Sequence, residues 1–272
     1  MSAIAAVILA TLAVAPSPSP SPTPIPYPCS SLSAIVTRPT VTTSVCTVQP
    51  QTALIESGWQ NLVATGNGAG YTASYPQAFV RVGTGDPNLE WNVSVPTYEK
   101  TNAGGSIVTG WSDVSGGIKY VLGYNAKAAW GVNAAFSMPT GGSSFTAGGP
   151  GYTGNFNWTY TLNGTFSLAG TLGFNDLAGY RTDGLPGRYF AFAPSLGLFA
   201  SLPNNTELFA EYAYSSAAGP GIGGKSTIDA GIERDLSPNV QFDLEYGFSP
   251  TPVNGTRTTY TGAGLSFLFG GL

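Results

Sequence analysis

The stretch from Asn239 to Ser249, NVQFDLEYGFS, alternates Val240, Phe242, Leu244, Tyr246 and Phe248 with Gln241, Asp243 and Glu245. Successive side chains of a strand point to opposite faces, so this segment is a ribbon with one apolar face and one charged face. The fold turns on which solvent each face meets.

The same alternation recurs along the chain. From residue 52 onward no apolar run reaches the roughly 18 residues that a membrane helix needs, and no stretch keeps a period of 3.6. About twelve strands are predicted from the pattern: 52–63, 75–84, 88–98, 112–122, 125–138, 153–162, 165–174, 188–201, 205–215, 225–236, 239–248 and 258–269. In FNWTYTL, Phe156, Trp158, Tyr160 and Leu162 share one side and Asn157, Thr159 and Thr161 the other. Trp130, Val132, Ala134, Phe136 and Met138 repeat the arrangement, as do Leu89, Trp91, Val93 and Val95. Short turns rich in Gly, Asn and Pro (84–88, 123–125, 163–165, 203–205, 237–239) alternate with longer Gly/Ser/Thr segments (64–74, 99–111, 139–152, 175–187, 216–224, 249–257). All the long loops therefore lie at one end of an up-and-down sheet.

Alternation fits both a soluble barrel with its apolar face inside and a membrane barrel with its apolar face in lipid. Several observations favour the membrane. Charged residues make up 9% of the chain, against roughly 25% in ordinary soluble domains. Strands of about ten residues match a bilayer. The long loops fall on one side only. Aromatic residues (Tyr75, Tyr98, Trp111, Tyr124, Tyr189, Tyr214, Tyr260) stand near strand ends, as at a membrane interface. Closure also pairs every backbone donor within hydrocarbon. The expected fold is all-β: a transmembrane up-and-down antiparallel β-barrel of about twelve strands, with short periplasmic turns and longer extracellular loops. Phe242, Leu244 and Tyr246 then face lipid, and Asp243 and Glu245 an aqueous interior.

Three regions follow. Residues 1–15, MSAIAAVILATLAVA, are too short for a mature membrane helix and end in small residues, as a secretory signal peptide does. Residues 16–50 begin with PSPSPSPTPIPYP, an extended proline-rich spacer, and read as a periplasmic arm. That arm holds Cys29 and Cys46, the only cysteines, which form either a disulfide suited to an exported chain or two free thiols. Residues 51–272 are the outer-membrane β-barrel.

FVRVGTGDPNLEWNVSVPTY (79–98), GWSDVSGGIKYVLG (110–123) and FSMPTG (136–141), with LFAEYAY (208–214) and the closing GAGLSFLFG, resemble the outer-membrane barrel family named after the meta pathway of phenol degradation. Its members are labelled transporters. The resemblance covers roughly residues 50 to 270 and implies a barrel and the passage of hydrophobic or aromatic compounds. It also implies a charged pair in the motifs that hold Arg81 and Lys119. The chain departs from the common barrel ending on an aromatic residue: Gly270, Gly271 and Leu272 follow Phe269.

The chemistry is bounded by what is missing. Without histidine, a Ser-His nucleophile has no base, and a zinc site has no imidazole. Cys29 and Cys46 are wrongly spaced for a metal. A net charge of -4 without a basic patch speaks against nucleic acid. The Gly-rich segments 140–154 and 219–224 lack the helix start and Lys-Ser/Thr of a phosphate cradle. By parity, Glu207, Glu211, Asp229, Glu233, Asp243 and Glu245 form an inward acidic wall on three consecutive strands. That wall makes either a cation-favouring lumen, a polar plug or a plainly solvated interior, and turn geometry allows Asp229 to stand opposite Glu245. Arg81 and Lys119 are the inward cations. Arg81 can pair with Glu90, as a brace or as a solute contact. Asp113 reads as a turn residue.

The expected function is not enzymatic and uses no cofactor: passive passage of small solutes across the outer membrane of a double-membraned bacterium. Expected partners are membrane lipid, small-molecule solutes and a periplasmic partner of the N-terminal arm. The alternatives are a structural or interaction barrel without an open pore, and a secreted soluble barrel for a lipophilic ligand.

Overall fold

The structure, a computed structural model, describes residues 27–270. The expected leader, the proline-rich residues 16–26 and the departure at Gly271 and Leu272 lie outside the described residues. One helical turn, α1 (Leu32–Ile35), precedes the strands β1 (Ala53–Gly66), β2 (Gly70–Tyr75), β3 (Phe79–Gly83), β4 (Leu89–Ser94), β5 (Tyr98–Ala103), β6 (Ser106–Trp111), β7 (Val114–Tyr124), β8 (Ala128–Met138), β9 (Gly151–Thr161), β10 (Phe166–Tyr180), β11 (Pro186–Leu202), β12 (Thr206–Ser215), β13 (Lys225–Ser237), β14 (Val240–Phe248) and β15 (Thr256–Phe269). Every pairing between these strands is antiparallel, and β15 closes on β1 from Ala53↔Phe269 to Gly66↔Thr256.

Three wall strands are interrupted at neighbouring positions. Pro76 parts β2 from β3 and Pro96 parts β4 from β5, because a proline cannot donate to the ladder. Ser112 and Asp113 part β6 from β7. Counted as continuous staves, these pairs give a closed barrel of 12 strands. Above the breaks, β2, β5 and β6 continue as a paired extension. Residues 64–74 and 99–111 are therefore strand hairpins rather than the long loops expected. Their Thr, Ser, Asn and Gly carry no apolar parity, since both faces of an extension beyond the membrane meet water.

Within the wall the parity is strict. In β14, Gln241, Asp243 and Glu245 are buried while Leu244, Tyr246 and Phe248 are exposed. Trp59, Trp91, Leu122, Phe190, Leu196 and Phe269 lie on the same outer surface. An apolar face of this extent is matched by lipid, not water. Tyr75, Tyr98 and Trp111 meet in tilted and edge-to-face contacts at the level of the strand breaks, with successive ring centroids 5.4 Å apart. Two of the expected belt residues differ: Tyr260 points inward and donates to Asp229 (2.6 Å), and Tyr189 shares the inward parity of β11, opposite to the exposed Phe190. Both sit next to the long-loop end, where the inner wall is polar enough to hold a phenol.

The described part of the arm, read from the sequence as periplasmic, lies inside the barrel. Tyr27 donates to the Pro87 carbonyl (2.9 Å) and packs on Tyr124, both at the short-turn end. The chain climbs through α1, turns at residues 37–44 and returns to Pro50, which bridges Gly83. Leu32, Ile35, Val36 and Val48 pack with Leu54, Val121 and Leu268 of the wall, around a disulfide between Cys29 and Cys46. Arg38 reaches across to glycines at 58 and 264, where a Cβ would overlap its guanidinium. The sequence hides this plug because 27–50 has no periodicity of its own: it is held by wall residues far away in the chain.

The disulfide closes a loop of sequence separation 17, worth about 3 kcal/mol to the inserted form on loop entropy. Replacing Cys29 and Cys46 by alanine should leave the barrel intact. The amides of Val41, Thr42, Thr43 and Val48 should then exchange on the order of 100-fold faster. Hydrogen–deuterium exchange of peptides spanning 27–50 reads this directly; unchanged protection would mean that the wall alone holds the plug.

Candidate functional site

The lumen is the site, and its first component is the plug anchor. Arg81 on β3 is fully buried and grips Glu90 on β4 with two bonds of 2.8 Å. It also bonds Glu56 on β1 (3.0 Å), the Ile35 carbonyl and the Cys46 carbonyl (2.7 Å). Lys119 on β7 donates to the carbonyls of Ser44 (2.8 Å) and Cys46 (3.4 Å). The carboxylates complete the grip: Glu56 accepts from the amides of Thr37 (2.9 Å) and Arg38 (2.7 Å), and Glu90 from Val48 (2.8 Å). Buried charges persist only when paired and hydrogen-bonded. Here Arg81 and the two carboxylates satisfy one another and plug backbone together, and Lys119 adds bonds to plug carbonyls.

On the opposite side the plug tip meets β10, β11 and β12. Glu211 accepts from Val41 (2.7 Å) and Thr42 (3.0 Å). The Thr43 amide donates to Thr171 (3.1 Å), and the Thr42 hydroxyl to Ser195 (3.0 Å). Thr171 donates in turn to Asn157, which donates to Asn133. Arg38 reaches Asp243 at 3.4 Å.

The acidic wall lies beneath and beside this tip. Glu211, Asp229, Glu233, Asp243 and Glu245 are buried, and Glu207 is half-buried. Their neighbours differ from those expected. Asp229 stands opposite Gly247 and Glu211, not Glu245; Glu233 stands opposite Asp243 and Glu207. The hairpin is centred on Pro238, one residue later than that pairing requires, and a register shift between Asp235 and Ser237 leaves Leu236 outside the ladder. Asp113, a turn residue by sequence, accepts from the amides of Gly141 and Ala147 (both 2.8 Å) and so pins the 139–150 loop to the strand break.

Two cavities flank the tip along the β9–β13 wall. The outer one, about 310 Å³, opens toward the long loops, with Val41 and Thr43 as its floor. The inner one, about 270 Å³, is lined by Thr42, Thr159, Thr161, Phe199, Glu207 and Glu233. Sequence parity singled out Arg81, Glu90, Lys119 and the acids. It passed over Glu56, Arg38, Thr171 and Ser195, of which Glu56 alone carried a legible signal: a carboxylate sharing the inward parity of Leu54 and Gly58.

Neither a protein-family model nor a curated protein matches the sequence. Solved structures share the fold. An outer membrane channel from Pseudomonas putida F1 matches with a TM-score of 0.60 at 13% identity, over 85% of this chain and 100% of that one. The NanC porin matches at 0.52 and 10% identity, over 78% and 98%. The KdgM porin in complex with disordered oligogalacturonate matches at 0.51 and 11% identity, over 79% and 99%. This chain has the fold of an outer-membrane β-barrel.

Proposed function

We propose that this chain is an outer-membrane channel for the passive passage of small solutes, narrowed at rest by its own N-terminal segment. The observation that carries the reading is the pair of cavities stacked on one wall and parted by the plug tip at residues 41–43. A lumen filled only for rigidity has no use for such a division. The anchor of Arg81, Lys119, Glu56 and Glu90 fixes one side of the plug through buried charge. On the other side, hydroxyls and one unpaired carboxylate hold the tip through ties that a small displacement can exchange for water.

The meta-pathway resemblance implies hydrophobic or aromatic cargo. The outer cavity sets Thr, Ser and Asn side chains among Val41, Ala193, Pro194 and Ala213, and those polar groups favour hydrophilic cargo instead. A second reading, a structural barrel without an open pore, draws on the ties that run from the plug to β1, β3, β4, β7, β10, β11, β12 and β14. In that reading a periplasmic partner acts where the inserted segment begins, at Tyr27.

Planar-bilayer recording of the refolded chain in a KCl gradient separates the two. A channel gives a small steady current that favours potassium, because Glu207 and Glu233 face the inner cavity without a cation beside them among the described residues. Glu207→Gln combined with Glu233→Gln should move the reversal potential toward zero. Silence from a demonstrably folded barrel would select the structural reading.

A further inference from the structure

We propose that the outer cavity is a recognition site for a small uncharged solute carrying several hydroxyl groups, whose hydroxyls take over the plug tip's bonds to the wall. The inference rests on the channel reading and adds to it a solute class and a place of binding.

The cavity wall is built from inward positions of five strands, β9 to β13, and is lined by Thr153, Asn155, Thr171, Asn175, Ser195 and Thr227 among others. Each brings a hydroxyl or an amide, a group that both donates and accepts. Lys225 is the one charged residue lining it. Two of the hydroxyls are occupied: Thr171 accepts the Thr43 amide and Ser195 accepts the Thr42 hydroxyl. The side chains of Thr153, Asn155, Asn175 and Thr227 have no hydrogen-bond partner among the described residues, and they border the space directly above that contact.

This division selects the ligand. An apolar or aromatic solute would strip water from those four side chains and leave them unpaired, a large penalty for buried polar groups. A carboxylate would find one lysine above and Glu211 beneath. A neutral polyhydroxylated molecule can pair with every one of them. A cavity of about 310 Å³ is at the lower end of ligand sites, which fits a monosaccharide-sized guest rather than an oligomer. The floor of the site is also the gate. Thr171 and Ser195 face both solute and plug, so a hydroxyl that bonds them competes directly with Thr43 and Thr42.

Proteoliposomes carrying the full chain test this, with arabinose and benzoate as probes of similar size and with potassium current recorded from the same preparation. Arabinose entry should be saturable and faster than benzoate entry. Thr153→Val combined with Thr227→Val keeps shape and strand propensity while removing two free hydroxyls. It should cut arabinose entry at least about fivefold; heat-modifiable migration confirms folding. If the pair fails to fold, Thr153→Ser with Thr227→Val, which retains one hydroxyl, should give an intermediate loss. Current with unsaturable arabinose entry, or with entry insensitive to the substitutions, overturns the recognition site alone. Benzoate entering faster than arabinose overturns the solute class. Absence of both current and entry overturns the channel reading beneath it.

Discussion

Arg81→Met should release the plug from β3 and β4. The substitution preserves much of the side chain's length but leaves Glu56 and Glu90 buried with only Lys119 nearby. It also strands the Ile35 carbonyl and leaves the Cys46 carbonyl only the longer bond from Lys119. Removing one partner of a buried ion pair costs about 3–5 kcal/mol, chiefly because the remaining charge stays uncompensated. That cost falls on the inserted form of residues 27–50, since the wall's own ladder does not pass through the Arg81 side chain. Exchange protection at Thr37, Arg38 and Val48 should collapse and ion current should rise. Arg81→Met together with Glu56→Gln and Glu90→Gln should restore much of the protection, because the uncompensated charge is then gone. Unchanged exchange and current in the single variant would show that the plug is held elsewhere, at Glu211 or by packing around Leu32 and Ile35.

Removing residues 27–50 altogether should give a barrel that still inserts and conducts severalfold more. The wall closes through β1 and β15 along their full length, from Ala53↔Phe269 to Gly66↔Thr256, without any plug residue. Barrels of eight strands are filled by their own side chains and those of sixteen to eighteen hold open water. One of 12 strands lies between, and here the filling is the inserted segment. Emptied of it, the lumen keeps its acids and loses Arg38, so the larger current should favour potassium more strongly than the native one. A folded, plugless barrel that conducts no better than the native protein would place the constriction in the wall itself.

The wall was legible in the sequence because lipid and water impose opposite demands on alternate residues. Trp91 against Glu90, and Leu244 against Asp243, record those demands one residue at a time. Legibility ended where that contrast ends. The extension of β2, β5 and β6 is wetted on both faces, so its strands resemble loops. Tyr260 and Tyr189 carry an aromatic ring that suits an interface and a polar lumen equally. The plug left no local trace because its order comes from Glu56, Arg81, Lys119 and Glu211, each of which alone is an inward charge with an unknown neighbour. The pairing expected between Asp229 and Glu245 failed by two positions, because the hairpin is centred on Pro238 rather than one residue earlier.

The inserted segment runs directly into β1, and β1 is one side of the seam. Glu56, four positions before Gln60 on that strand, holds Thr37 and Arg38, while the other face of the seam, β15, supplies Leu268 to the packing around Ile35. The first and last wall strands thus carry part of the filling with them. The two strands that close the ring are therefore also the two that grip its stopper, so the seam and the filling share one set of contacts.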